Sequence, residues 1–138
     1  MKKRYLITAF LIGLLSCDTG DVVQQQQENM VIQAMTNGQW KVSSFIKGST
    51  DVTSDFSTYK FQFRNNNTVD AINNGSVEKT GTWAADANAQ TITSGFPGAV
   101  HPLPLLNGTF NIESTTWTSV NASQTVNGEI RTLRLDKL

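Results

Sequence analysis

The chain has one cysteine, Cys17, and one histidine, His101, in 138 residues. That scarcity excludes a disulfide framework and a Cys/His metal site, each of which needs several such side chains. An excess of positive charge is also missing. The 11 Lys+Arg balance 11 Asp+Glu, and Lys2, Lys3 and Arg4 all fall within residues 1–16, which hold no acid. Beyond residue 16 there remain 8 basic against 11 acidic residues, a net charge of −3. Proteins that bind nucleic acid concentrate Lys and Arg to displace counterions from phosphates, so no nucleic-acid partner is expected. No long stretch carries helical periodicity, which excludes a parallel sheet built from βαβ units. The length allows one domain behind its N-terminal segment.

That segment has its own logic. Lys2, Lys3 and Arg4 form a positive start, and residues 5–15 (YLITAFLIGLL) are uncharged and largely apolar. Eleven residues of helix are too short for a hydrocarbon core of about 30 Å, but they suit the apolar region of a secretory signal. Cys17 follows in Leu14-Leu15-Ser16-Cys17. This run resembles the lipobox of bacterial lipoproteins, in which the cysteine receives a diacylglycerol and becomes the first residue after cleavage. The resemblance implies a signal peptide over residues 1–16 and an acylated, palmitate-bearing Cys17. The plain alternative is an ordinary signal with a chance cysteine. Residues 17–30, with four consecutive glutamines, read as the lipidated cysteine and a flexible tether. The expected location is the cell envelope, lipid-anchored at the outer membrane, with the domain periplasmic or surface-exposed.

Residues 31–138 are expected to form the folded domain. Met30, Val31, Ala34 and Met35 fit one stripe of a short helix, which Asn37-Gly38 stops. The period then becomes two. Tyr59, Phe61 and Phe63 alternate with Lys60, Gln62 and Arg64, as a half-buried strand requires. Trp40, Val42, Ser44 and Ile46 form one face of an earlier strand, and Gly81, Trp83 and Ala85 one face of a later one. Further strands are expected around Val69 and Ala71 and over residues 90–94, 109–112, 116–122 and 130–135. Turn chemistry recurs at Asn74-Gly75, Asn107-Gly108 and Asn127-Gly128. Eight strands in sequential hairpins favour an all-β, antiparallel up-and-down barrel, with a sandwich as the rival.

Asn37-Gly38-Gln39-Trp40 places Gly-x-Trp at the first strand, directly after the short helix. This arrangement resembles the lipocalins, whose tryptophan plugs one end of an eight-stranded barrel. With residues 40–45, residues 51–56, Tyr59-x-Phe61-x-Phe63, Gly81-Thr82-Trp83 and the closing residues 133–138, it looks like the lipocalin-like lipoproteins of the Bacteroidetes. The resemblance covers residues 38–138. It implies that Gly38, Trp40 and an arginine of the last strand form a structural barrel end. Arg131 and Arg134 lie on opposite faces there; Arg131 shares its face with Leu133 and Leu135 and is the expected partner of Trp40.

Chemistry-bearing residues are few. His101 sits in the loop 96–104 (FPGAVHPLP) with no neighbouring nucleophile motif. Asp51, Asp55, Asp86 and Asn88 stand among turn residues, where such side chains bond their own backbone. No catalytic residue, metal ligand or cofactor is therefore expected, and the chain is read as a non-enzyme. Two functions remain. In the first, Tyr59, Phe61, Phe63, Trp83 and Ile112 line a barrel cavity for a small apolar ligand. In the second, the barrel is filled and the protein engages an envelope protein partner, with the long loop 96–104 as a contact.

Overall fold

The structure, a computed structural model, describes residues 29–138. The expected signal peptide, Cys17 and the tether as far as residue 28 lie outside the described residues. A helix over residues 29–36 precedes nine strands: β1 (Trp40–Lys47), β2 (Thr50–Asp51), β3 (Tyr59–Phe63), β4 (Thr68–Asn73), β5 (Ser76–Asp86), β6 (Thr91–Gly95), β7 (Gly108–Thr115), β8 (Ser119–Val126) and β9 (Glu129–Lys137). The helix includes Met30, Val31, Ala34 and Met35, the stripe expected of it.

All pairings are antiparallel and sequential from β3 to β9, and β1 pairs with both β3 and β9. The result is a closed eight-stranded up-and-down barrel, with β2 a two-residue appendage on the far end of β1. Closure removes the exposed edges that an open sheet would leave. Asn74-Gly75 and Asn127-Gly128 make the tight hairpins expected of them. Both central residues lie in the left-handed region, with φ of 50° and 84° in the first and 50° and 80° in the second, as a type I′ turn requires.

One face differs from simple alternation. The β1–β9 register slips between Val42 and Ser44, so Val42 opposes Leu135 and Ser44 opposes Arg134. Ser43 is the extra residue of a bulge, which shifts the inward face by one position. Phe45 consequently enters the core fully buried, whereas Ser44 and Ile46 are half-buried. The inward phenylalanine then stacks on Phe56, ring centroids 5.5 Å apart.

The barrel has two distinct ends. At the helix end lie residues 29–36, the start of β1, the end of β9, and the β3–β4, β5–β6 and β7–β8 turns. At the loop end lie the 3-10 turn Thr53–Phe56 and the β6–β7 connection with its own 3-10 turn, Leu103–Leu106. That long connection turns inward: Phe96, Leu103 and Leu106 are buried in the core, whereas Val100 and His101 stand exposed. Apolar residues in the loop plug the barrel mouth for the same reason that strands bury theirs, to leave water.

Candidate functional site

Closure does bring Tyr59, Phe61, Phe63 and Trp83 together, each less than a tenth exposed. They meet one another and their neighbours. Tyr59 and Phe61 lie with centroids 6.2 Å apart, Phe61 meets Phe96 at 6.2 Å, and Phe63 stands edge-on to Trp83 at 5.3 Å. The residual void among Phe61, Phe63, Val69, Phe110 and Leu133 is about 30 Å³. A small-molecule cavity measures about 300–1,000 Å³. The expected guest therefore has no room in the interior, and the aromatic stripe is core. The sequence left a cavity and a filled barrel both open, because the plug residues Phe96, Leu103 and Leu106 come from a loop, where no periodicity announces which way a side chain turns.

At the helix end, Trp40 is completely buried and its Nε1 donates to the Met35 carbonyl at 3.0 Å. Gly38, at φ 88°, lets the chain turn from helix to strand, and its carbonyl accepts from Gln62 Nε2. The cation over the Trp40 ring is Lys137, with Nζ 5.1 Å from the centroid. Arg131 does not take this place. β9 runs antiparallel to β1, so Arg131, near its start, opposes Lys47 at the loop end of the barrel. There its Nε donates to Glu129 Oε1 at 2.9 Å. Arg134 bonds Asp136 on the outer face instead.

The loop end is tied by His101, whose Nε2 lies 2.9 Å from Asp55 Oδ2, joining the two connections that cover the mouth. Asp51 caps its own turn by accepting from the Thr53 backbone and hydroxyl, and Asp86 accepts from the Ala89 backbone N–H. Asp51 and Asp86 thus take the turn roles expected of them, whereas Asp55 bonds His101 instead. Among the described residues, no group of three or more His, Cys, Asp or Glu side chains is placed to hold a metal ion. No helix among them is long and apolar enough to cross a membrane.

Two buried polar groups shape the barrel wall. Asp70 is buried on β4, bonded to Arg64 and to the Thr80 hydroxyl, and the Arg64 guanidinium holds its carboxyl below the usual range. Tyr59 donates its hydroxyl to Glu78 Oε2 at 2.7 Å. Burial, reinforced by that carboxylate, pushes the Tyr59 phenol up to about 12.

An open space lies outside the barrel interior, at the helix end. It is a cleft of about 520 Å³ between residues 29–36, the β5–β6 turn and the β7–β8 turn. Ala85 and Ile112, the last inward-facing residues of β5 and β7, contribute to its wall, with Met30, Val31 and Ala34 from the helix. Ile112 thus belongs here rather than with the four core aromatics. Trp117 completes the wall, half exposed at 52%. The sequence reading placed Trp117 within a strand over 116–122, but β8 starts at Ser119. Thr116 Oγ1 accepts from the backbone N–H groups of Thr118 and Ser119, a side-chain turn that presents the indole to solvent. The signal was available: a lone tryptophan inside the hydroxyl-rich run of residues 114–119.

No protein-family model matches the sequence, and no curated protein matches it. A solved structure does. The crystal structure of a DUF4847 family protein from Bacteroides vulgatus ATCC 8482 superposes with a TM-score of 0.54 at 12% identity, covering 77% of this chain and 96% of that one. The likeness is one of fold: nearly the whole neighbour aligns on this chain. At that identity, side-chain roles do not transfer.

Proposed function

We propose that this chain is a lipid-anchored binding module of a bacterial cell envelope, in which the barrel is the scaffold and recognition lies outside its interior. The observation that carries this reading is the interior void of about 30 Å³. A filled barrel closed at both ends is rigid and offers its ends and turns, not its core, to other molecules. Anchoring rests on the sequence: Lys2, Lys3 and Arg4, the apolar residues 5–15 and Cys17 stand in the order of a lipoprotein signal. The proposed membrane is the outer one, and no catalytic step is assigned to the domain.

The test is fractionation of cells producing the full chain. The wild type should sediment with membranes and partition into detergent, because several acyl chains hold a protein stably where one does not. Cys17→Ser should appear in the soluble fraction with its barrel intact. Full retention of Cys17→Ser in the membrane fraction would overturn the anchoring.

A further inference from the structure

We infer that the cleft at the helix end is a binding site for a small amphiphile with an apolar body and a neutral or, preferentially, cationic head. The inference deepens the proposed function and rests on its reading of the barrel as scaffold. Three observations converge on it. First, the cleft volume of about 520 Å³ lies in the range of small-molecule sites, whereas the interior void does not. Second, the floor is apolar, made by Met30, Val31, Ala34, Ala85 and Ile112, and a half-exposed Trp117 stands over it. Exposing so large a ring costs free energy that a ligand would recover by covering it. The ring is half exposed, so part of its face is open to a guest.

The third observation is the charge at the rim. The charged residues among the described lining are Asp86 and Glu113, both exposed, and neither lysine, arginine nor histidine lines the cleft. Asp86 accepts from the Ala89 backbone N–H through Oδ1, and Glu113 accepts from the Ser123 hydroxyl through Oε1. These bonds hold each carboxylate in place at the rim. Two carboxylates lining the same cleft as an aromatic side chain draw a cation there by Coulomb attraction, and the ring quadrupole adds to it where the cation meets the ring face. They repel a carboxylate or sulfate head. The same geometry thus selects both the body of the ligand and the sign of its head.

The test uses the full-length Cys17→Ser chain, which avoids detergent, and three probes sharing one eight-carbon tail: octyltrimethylammonium, 1-octanol and octanoate, each below its micellar concentration. Trp117 is the exposed indole, Trp40 and Trp83 being buried, so emission and equilibrium dialysis report the same site. Octyltrimethylammonium should bind saturably and about fivefold tighter than octanoate, with octanol between them. Trp117→Ala, in an exposed turn, should abolish binding. Asp86→Asn with Glu113→Gln, which keep the acceptor atoms, should bring the cation-to-anion ratio close to one. No saturable binding, or octanoate binding as tightly as the cation, would overturn the inference. Binding that survives Trp117→Ala also overturns it, and Phe61→Trp then separates the two readings. Binding unaffected by Phe61→Trp leaves the scaffold reading standing with the site elsewhere on the surface. Binding lost in Phe61→Trp puts the guest inside the barrel, and the scaffold reading falls too.

Discussion

Lys137 lies over the ring of Trp40, its Nζ 5.1 Å from the centroid, although 97 positions separate the two in the chain. They also oppose each other directly in the β1–β9 pairing. The contact therefore sits on the seam that closes the barrel, where the first long strand meets the last. Trp40 meanwhile donates to the Met35 carbonyl of the helix. Helix, first strand and last strand are joined at one indole.

This arrangement predicts a selective coupling. A double-mutant cycle between Trp40→Phe and Lys137→Ala should give an interaction energy of about 0.5–1 kcal/mol. The same cycle with Arg131→Ala should give none, because Arg131 is held by Glu129 at the opposite end of the barrel. Trp40→Ala should cost about 3–5 kcal/mol, as expected for removing a fully buried tryptophan. Urea denaturation checks all three, and a coupling between Trp40 and Arg131 would contradict the register.

Gly81 is required by packing rather than by backbone conformation. A Cβ there would lie 2.2 Å from the Gly95 carbonyl oxygen and 2.8 Å from Phe96 Cδ1. Backbone cannot yield as a flexible side chain can, so Gly81→Ala should destabilise by at least about 2 kcal/mol. Gly75→Ala, at φ 84° with nothing within 4 Å, should cost only about 1 kcal/mol through strain. Equal denaturation midpoints for the two variants would refute the crowding.

Asp70 should govern part of the acid response. Its carboxyl is held below its ordinary value in the folded state, chiefly by the Arg64 guanidinium. The folded state thus prefers the charged carboxylate more than the unfolded chain does. Stability from this group is present above the unfolded value of about 3.9 and is lost as pH falls through the folded value. Asp136, lowered by Arg134, acts in the same sense. Asp70→Asn should lower stability at pH 7 and flatten the loss below about pH 4, as measured by urea midpoints across that range.

Tyr59 should act at the opposite extreme. Its phenol is raised to about 12 by burial first and by Glu78 second. The folded state therefore prefers the neutral phenol, and this contribution holds below about pH 10 and is lost as pH rises toward 12. In a Tyr5→Phe chain, phenolate absorbance reports Tyr59 by itself. Glu78→Gln should move the titration down only part of the way toward the ordinary value, since burial persists. A complete return to that value would make the carboxylate, rather than burial, the principal cause.

The legible part of the fold was the part encoded by neighbours in sequence. Alternation of Tyr59, Phe61 and Phe63, and the pairs Asn74-Gly75 and Asn127-Gly128, specify strands and hairpins through contacts a few residues apart. The inward turn of Phe45 was not legible, because Ser43 becomes a bulge only when β9 lies beside it. Neither was Lys137, because a cation can be assigned to Trp40 only once the direction and register of the closing strand are known.

By itself, then, the sequence determined an all-β chain of sequential antiparallel strands behind a short helix, with apolar and polar faces assigned almost throughout. Local periodicity and turn chemistry suffice for that, since each strand needs only its own pattern to choose a face. Tertiary structure alone decided how much space the barrel encloses. Phe96, Leu103 and Leu106 come from a loop without periodicity, and their burial reduces the interior to about 30 Å³. It also decided that Trp117 faces solvent beside the helix, because three segments distant in sequence meet only when the barrel closes. Volume and clefts are properties of closure, and no single strand carries them.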